Sequence, residues 1–317
     1  MKIKQLKLWL SIPFILTLFT GYAQEGIYSH FMYNTQNYNP ASVGLDNSTT
    51  VMGIQRLSMI GFEGAPMLTN LMLNASVLND NAGAGLSLVH DNIGATRSLY
   101  YYGDLAYKLK INNSYTFAFG MKVGFSQMTS NLASLRSNTG DDPSANVSTS
   151  LRPNVGSGFK FKGRGFTIGF AVPKILEHQE TLEIRHYYLT ASYNKRLNSV
   201  VGLRTNFLLR ATEATSAQTE WSALVYFLDQ IWVGPAIRHG EAISLHTGIQ
   251  VLEALDIGYA FEYGVSGTKT TSHEFMVRFN LNKNKAVEDV YGMGLKETIS
   301  TTLNKNSKKN KKRKIKK

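Results

Sequence analysis

His273 and Glu274 stand next to each other in the sequence, as they do in the HExxH motif of zinc metalloproteases. In that motif two histidines one helical turn apart bind the metal, and the glutamate acts as the general base. Position 277, where the second histidine would stand, is Val277. The surrounding residues alternate as a strand does, so the two side chains point to opposite faces. We therefore expect no metal catalysis at this pair.

Other patterns that could carry chemistry are equally incomplete. The segment 264–268 approaches the G-x-S-x-G nucleophile motif around Ser266 but ends in Thr268. A serine–histidine pair on a barrel needs no such motif, so a lipid enzyme stays an open alternative, although no pair stands out. Asp141 and Asp142 are two carboxylates in a polar loop, whereas calcium needs about six or more oxygen ligands. The residues predict no enzyme, no metal site and no cofactor.

The N-terminus has the order of regions that defines a secretory signal peptide. Lys2, Lys4 and Lys7 precede an apolar run over 8–19, and the small residue Ala23 follows. We expect cleavage before Gln24. The run is too short for a stable membrane helix, and Pro13 interrupts it. The chain has no cysteine, so it forms no disulfide and carries no cysteine-linked lipid anchor.

The formal charge of +12 is concentrated at the two ends of the chain. Three lysines lie in the signal segment, and residues 304–317 hold eight lysines and one arginine without an acid. The body, 24–303, therefore has a net charge of zero. This distribution argues against a nucleic-acid partner. The tail is either simply solvated or attracted to anionic partners in the periplasm, such as phospholipid headgroups or an acidic protein face.

Large apolar residues alternate with small or polar ones in many windows, which predicts β-strands. The clearest window is 115–126, and the same rule holds over 255–264 and 274–281. A water-soluble sandwich would turn the apolar face into its core, whereas a membrane barrel turns it toward lipid. Beyond the signal, no stretch approaches the roughly 20 apolar residues of a membrane helix.

Three features favour the barrel over the sandwich. The other face mixes glycine, alanine and serine with charges, connections alternate between short and long, and aromatic residues lie near strand ends, where interfacial girdles form. These aromatic residues are Tyr115, Trp221, Trp232 and Tyr263. Gly-x-Gly pairs lack the following helix that a phosphate site needs, and in strands they indicate bends, bulges or a crowded lumen. The pairs are Gly83/Gly85, Gly156/Gly158 and Gly163/Gly165.

We predict an all-β fold, a transmembrane antiparallel outer-membrane β-barrel of about 14 strands with both termini periplasmic. An even strand count closes the sheet and leaves no unpaired edge in hydrocarbon. Connections after odd-numbered strands are mostly longer, as in 127–151 and 173–185, and the turn 239–241 is the one expected exception. The predicted strands are 50–60, 67–78, 82–91, 97–108, 115–126, 152–161, 165–172, 186–195, 199–210, 219–228, 231–238, 242–251, 255–263 and 272–281.

The chain divides into a signal peptide 1–23, an N-terminal lead 24–49, the barrel 50–281, and a periplasmic extension 282–317 with the basic tail. The lead is too aromatic to lie in water, so we predict that it inserts in the barrel mouth as a possible plug. Its aromatic residues include Tyr28, Phe31, Tyr33 and Tyr38.

Short strings follow a consistent order along nearly the whole mature chain. They are His30-Phe31-Met32-Tyr33-Asn34, Tyr38-Asn39-Pro40-Ala41-Ser42-Val43-Gly44, Gly61-Phe62-Glu63-Gly64-Ala65-Pro66, Asp91-Asn92-Ile93-Gly94, Asp256-Ile257-Gly258-Tyr259-Ala260 and Ser272-His273-Glu274. The ordered set resembles the PorP/SprF family of outer-membrane proteins of the type IX secretion system of the Bacteroidota. The signature residues are Asn39, Pro40, Ala41, Gly44, Gly61, Phe62, Gly64, Ala65, Pro66, Asp91, Ile93, Gly94, Gly258, Tyr259, His273 and Glu274.

The resemblance implies a non-enzymatic role in the cell outer membrane. It implies that the barrel anchors a large secreted surface protein with a type IX C-terminal signal, such as a gliding adhesin, or assists its secretion. Its partners would be outer-membrane lipid, that surface protein and periplasmic secretion components. A transport barrel or channel for small or hydrophobic solutes is the alternative, because the lumen cannot be judged from the sequence.

Overall fold

The computed structural model describes residues 27–130, 148–177, 184–213, 216–252, 254–266 and 269–281. Within these residues, fourteen antiparallel strands form one closed barrel. They are β1 Thr50–Ser58, β2 Met67–Val77, β3 Ala82–Ile93, β4 Thr96–Asn112, β5 Tyr115–Ser130, β6 Ser148–Lys162, β7 Phe166–Val172, β8 His186–Arg196, β9 Val201–Thr212, β10 Gln218–Phe227, β11 Ile231–Arg238, β12 Ala242–Leu252, β13 Leu255–Gly264 and β14 Thr271–Asn280.

Each strand pairs with its neighbours in the sequence, and the first strand pairs with the last. The register of β1 against β14 runs from Thr50↔Asn280 to Ser58↔Ser272 without a shift. Closure gives every strand two partners, so the sheet has no edge whose amides would face hydrocarbon unpaired. The predicted closed antiparallel barrel of about 14 strands is confirmed.

The strands β4, β5 and β6 are longer than the sequence pattern predicts, with 17, 16 and 15 residues. The extra pairing in β5 covers the polar residues that end at Ser130, which pairs with Ser148. About ten tilted residues cross the hydrocarbon, so these ends extend beyond it. They need no apolar outer face there, which is why the alternation stops before the strand does.

The apolar face of each strand points outward. In β5, Phe119 and Met121 are exposed, whereas Ala118, Gly120 and Lys122 are buried in the lumen. This arrangement is the reverse of a water-soluble sandwich and fits a barrel whose outer surface meets lipid. The sequence periodicity therefore divides most strands correctly into lipid-facing and lumen-facing residues, although β1 also turns the apolar residues Met52 and Ile54 inward.

The barrel has two rims, which we name by their connections. At the terminal rim the chain enters β1 and leaves β14, and six connections lie there: 78–81, 113–114, 163–165, 197–200, 228–230 and 253–254. The loop rim carries the other seven: 59–66, 94–95, 131–147, 173–185, 213–217, 239–241 and 265–270.

The expectation that 239–241 is the one short connection at the loop rim was wrong. β3 and β4 pair as far as Ile93↔Thr96, which leaves only Gly94 and Ala95 between them. Gly94 has a φ of +58°, a conformation that glycine adopts without a steric penalty, and this permits the tight turn.

The described part of the lead, residues 27–49, lies across the lumen. It contains a single helical turn, α1 (Thr35–Tyr38), followed by a 3-10 turn (Pro40–Ser42). Its side chains contact β13 and β14 near its start and β6 and β7 near its middle, on the opposite wall. No helix in the described ranges is long and apolar enough to cross a membrane.

Glycines in the barrel wall give the lead its space. A Cβ at Gly83 would lie 1.9 Å from the carbonyl oxygen of Val43, and a Cβ at Gly120 would lie 2.2 Å from the amide nitrogen of Ala41. Real side chains do not tolerate such distances, so any larger residue at these positions would displace the lead. The Gly-x-Gly pairs indicate a crowded lumen. The segment that fills the space at these glycines is the lead.

We expect Gly120→Ala to destabilise the barrel with its lead by about 1–3 kcal/mol, because the added methyl group meets backbone atoms. Gly103→Ala is the matched control, since its nearest neighbour would be 3.9 Å away. The measurement is thermal unfolding of the purified proteins in detergent. Equal unfolding temperatures for the two variants would contradict the tight contact between Gly120 and the lead.

Candidate functional site

The buried carboxylate of Glu274 fixes the start of the lead to the barrel wall. It accepts hydrogen bonds from the backbone amides of Ser29, at 2.8 Å, and His30, at 2.7 Å. The Nδ1 atom of His30 also lies 2.7 Å from the same carboxylate, and both side chains are completely buried. Arg56 of β1 adds a longer ionic contact of 3.7 Å. Each acceptor oxygen of this buried charge therefore has a donor.

A network of charged residues surrounds this contact. Arg56 donates to Glu262 at 2.7 Å, and Arg238 donates to Glu262 at 3.1 Å and to Glu220 at 3.2 Å. The hydroxyl group of Ser29 completes it, because it donates to Glu262 at 3.0 Å and accepts from Arg56 at 2.6 Å. Removing one partner of such a buried network costs roughly 3–5 kcal/mol, since it leaves an uncompensated charge. The network joins the lead to β1, β10, β11, β13 and β14.

The side chains of His273 and Glu274 lie on opposite faces of β14. Glu274 points into the lumen, whereas His273 lies on the outer face, where its Nδ1 atom is 2.8 Å from the hydroxyl oxygen of Tyr259. The partner of Glu274 is His30, 244 positions earlier in the chain. No local sequence motif could have predicted the contact between His30 and Glu274. The alternation of β14 predicts only that Glu274 points inward.

The signature residues around Asn39 fix the middle of the lead. The Asn39 amide group donates to the carbonyl oxygen of Phe159 at 3.0 Å, while its side-chain oxygen accepts from the amide of Ala41 at 2.9 Å. Ala41 itself is fully buried against the wall at Gly120. Pro40 is also fully buried and begins the 3-10 turn. These residues give the lead its shape and attach it to β6.

Gly44 attaches the last part of the lead to the wall. Its amide donates to the side-chain oxygen of Asn74 at 2.7 Å, and its carbonyl accepts from the ammonium of Lys108. Its φ of +66° and the approach of Gly83 leave no space for a side chain. Gly258 has a similar role at the other end, where a Cβ would lie 3.2 Å from the Nε2 atom of His30.

A second group of signature residues lies at the loop rim, and its first connection begins three residues beyond Arg56 of the anchor. We call it the rim hairpin cluster, residues 59–66 with 91–94. The amide of Gly94 donates to the carbonyl of Gly64 at 3.0 Å and so joins the two connections. The exposed apolar side chains of this cluster are Ile60, Phe62 and Ile93. The signature residues in it are Gly61, Phe62, Gly64, Ala65, Pro66, Asp91, Ile93 and Gly94.

Trp232 was wrongly placed with the aromatic residues of the outer girdle. It is the second residue of β11, on the face that alternates inward, and it is buried. Its ring centroid lies 5.8 Å from that of Tyr33 in the lead and 6.1 Å from that of Tyr226. Trp232 points inward because its large ring packs against the aromatic residues of the lead and of the neighbouring strand.

Two cavities border the lead. The loop-rim vestibule has a volume of about 70 Å³ and is lined by tyrosines, among them Tyr28 and Tyr38 of the lead. The terminal-rim vestibule has a volume of about 260 Å³ and is lined by polar and charged residues. No cluster of three or more histidine, aspartate or glutamate side chains in the described ranges is placed to hold a metal ion.

Some predicted features lie outside the described residues. These are the signal peptide 1–23, the first residues of the lead at 24–26, the carboxylates Asp141 and Asp142, and the basic extension 282–317.

The closed barrel, its apolar outer face and its charged lumen define an integral outer-membrane β-barrel. Within this class, the family model described as "Type IX secretion system membrane protein PorP/SprF" matches residues 20–279. The chain belongs to the PorP/SprF family, as the ordered strings predict. No curated protein matches the sequence significantly.

Solved structures are similar at the level of the fold. The outer membrane protein Omp33 of Acinetobacter baumannii is 10% identical, with 74% of this chain and 98% of that chain covered and a TM-score of 0.45. A FadL homologue of Pseudomonas aeruginosa is 11% identical, with 78% and 94% covered and a TM-score of 0.47. The KdgM porin is 8% identical, with 73% and 98% covered and a TM-score of 0.36.

The absence of native cysteine allows a direct test of the Glu274 anchor. A single reporter cysteine, Ser42→Cys, places a thiol at a buried position of the lead with little change in volume. We expect Glu274→Ala in this background to speed maleimide labelling at least tenfold, because an uncompensated His30 and Arg56 weaken the lead's attachment.

His273→Ala is the matched control, because His273 precedes Glu274 in β14 and its side chain lies on the outer face. It should leave labelling at the rate of the reporter protein alone. Slow labelling in both variants would show that Glu274 does not hold the lead in the lumen.

Proposed function

We propose that this barrel is a non-enzymatic part of the type IX secretion system that anchors a cognate cell-surface protein, such as a gliding adhesin, or assists its secretion. In this proposal the terminal rim faces the periplasm and the loop rim faces the outside. The loop rim carries the longest connections, 131–147 and 173–185, and outer-membrane barrels place their longer loops outside.

The observation that carries the proposal is the lead inside the lumen. A conduit needs an open lumen, whereas here the lead crosses it and is held by the buried network of Glu274, Glu262 and Arg238. Such a filled barrel behaves as a rigid support, because its interior is packed and bonded like a protein core. Support for another protein is a role that a filled barrel can perform.

The rim hairpin cluster is the surface that we assign to the secreted protein. Phe62 is 69% exposed, and Ile60 and Ile93 are 58% and 51% exposed. Exposed apolar groups held close together on a fixed scaffold are typical of protein contact sites. The positive φ angles of Gly61 and Gly64, +99° and +74°, shape the connection that presents Phe62.

The remaining partners follow from the other surfaces. The apolar outer face contacts outer-membrane lipid, and the terminal rim offers the side from which periplasmic secretion components approach. The secreted partner would carry the type IX C-terminal signal that the family resemblance implies.

Deletion of the gene should remove one large protein from the cell surface, and surface proteomics with and without the gene measures this. Phe62→Ser should give a partial loss, because it removes the largest exposed apolar contact while the folded barrel stays in the membrane. Leu78→Ser, an equally exposed change at the terminal rim, is the control. An unchanged set of surface proteins after gene deletion would refute the anchoring role.

Transport is the second candidate, since the terminal-rim vestibule of about 260 Å³ reaches into the lumen. We expect the full-length protein to be electrically silent in planar bilayers, because the lead occupies the lumen. A variant that lacks residues 27–47 should conduct. Steady conductance by the full-length protein would favour a channel over an anchor.

A further inference from the structure

The terminal-rim vestibule contains a patch of cations and neutral polar residues on four neighbouring strands, with the cations on β6 and β9. The register places Lys162 opposite Thr167 and Asn194 opposite Arg204, so these residues form one continuous patch of the lumen wall. The patch consists of Lys160 and Lys162 of β6, Thr167 of β7, Ser192 and Asn194 of β8, and Arg204 of β9, all of which line the vestibule.

The carboxylates that line this vestibule are already engaged by other cations. Asp46 of the lead pairs with Lys162 at 3.0 Å. Asp256 pairs with Arg278 at 2.6 Å, and Asp229 accepts from Arg196. Within the described residues, these contacts leave Lys160 and Arg204 as vestibule cations without an ion-pair partner.

Lys160 is unusual because its side chain is buried but its charge is not paired. The residue is 4% exposed, and its ammonium forms no hydrogen bond or ion pair with any residue in the described ranges. Lys162 and Arg204 are close enough to repel it, and Asp46 attracts it electrostatically. Lys160 lines the vestibule without a direct ion-pair partner, so its ammonium is available to an anion that enters the cavity.

Arg204 supplies a second set of donors in the same patch. Its guanidinium donates to the carbonyl oxygen of Met32 at 3.0 Å and to the side-chain oxygen of Asn206 at 3.1 Å, which are both neutral acceptors. The guanidinium therefore has no carboxylate in direct contact within the described residues, although Asp46 attracts it electrostatically. A planar guanidinium beside an ammonium is a combination that recognises carboxylate and phosphate groups.

We propose that the terminal-rim vestibule binds a small oxyanion, a carboxylate or a phosphate group, between the ammonium of Lys160 and the guanidinium of Arg204. The cavity of about 260 Å³ lies just below the roughly 300 Å³ at which pockets for larger ligands begin. It therefore suits one charged group of a ligand that enters through the terminal rim. The site lies apart from the rim hairpin cluster and does not depend on the anchoring role.

Asp46 acts as an internal competitor for this site. The Lys162 ammonium lowers the pKa of the Asp46 carboxyl to about 2, so the carboxylate stays charged at neutral pH. The Asp46 carboxylate is itself an oxyanion bound to this patch. Because it pairs with Lys162, it keeps that ammonium from binding an incoming ligand. Loss of this carboxylate should therefore strengthen anion binding.

The test is a calorimetric titration of the full-length protein in a neutral detergent with inorganic phosphate and, separately, with acetate. We expect Lys160→Met to weaken binding at least tenfold, because it removes the unpaired charge and keeps the length of the side chain. Lys110→Met, at an exposed lysine near the same rim, is the control and should bind like the parent protein. Asp46→Asn should bind several-fold more tightly.

The opposite signs of these effects separate a site from general damage. A misfolded Lys160→Met variant would also bind weakly, although not because of the lost charge. Misfolding cannot explain tighter binding by Asp46→Asn. Stronger binding of phosphate than of acetate would identify a phosphate group, such as a lipid headgroup, and stronger binding of acetate would identify a carboxylate. Binding that changes with neither Lys160 nor Asp46, or that falls equally in Lys110→Met, would overturn the proposal.

Discussion

The buried charge of Glu274 is the constraint on which the arrangement of the lumen depends. A carboxylate with no exposure to water must be paired, and among the described residues of the wall Arg56 alone contacts it, at 3.7 Å. The lead supplies the two amides and the ring nitrogen that complete its coordination. The wall and the lead are thus each incomplete without the other, because the wall holds a charge that only the lead satisfies.

Steric fit acts together with this charge. Glycines stand where the backbone of the lead comes closest to the wall, since a side chain at Gly83 or Gly120 would occupy the path of the chain. Asn39 and Gly44 then attach the lead through hydrogen bonds to β6 and β2. Polar attachment sets the position of the lead, and the absence of side chains in the wall allows it. The lead and the wall consequently pack against each other across the lumen.

Because the lead occupies the lumen, the side chains that could contact partners lie at the two rims. The rim hairpin cluster presents apolar groups at the loop rim, and the terminal-rim vestibule presents unpaired cations at the opposite end. These surfaces differ in character, so they suit different partners: an apolar protein surface at one rim and an anionic group at the other. The barrel between them keeps both surfaces at a fixed separation, because its hydrogen-bonded wall is closed.

The sequence by itself predicted the barrel, its fourteen strands and, in most strands, the side that meets lipid, because alternation and the lengths of the connections are local properties of the chain. It also identified Glu274, Asn39 and Gly258 as signature positions without giving them a purpose. Only the tertiary structure brought His30 to Glu274, turned Trp232 inward against the lead, and left Lys160 buried beside Arg204. These contacts join residues that are far apart in the chain, and alternation carries no information about which distant residues closure of the sheet will bring together.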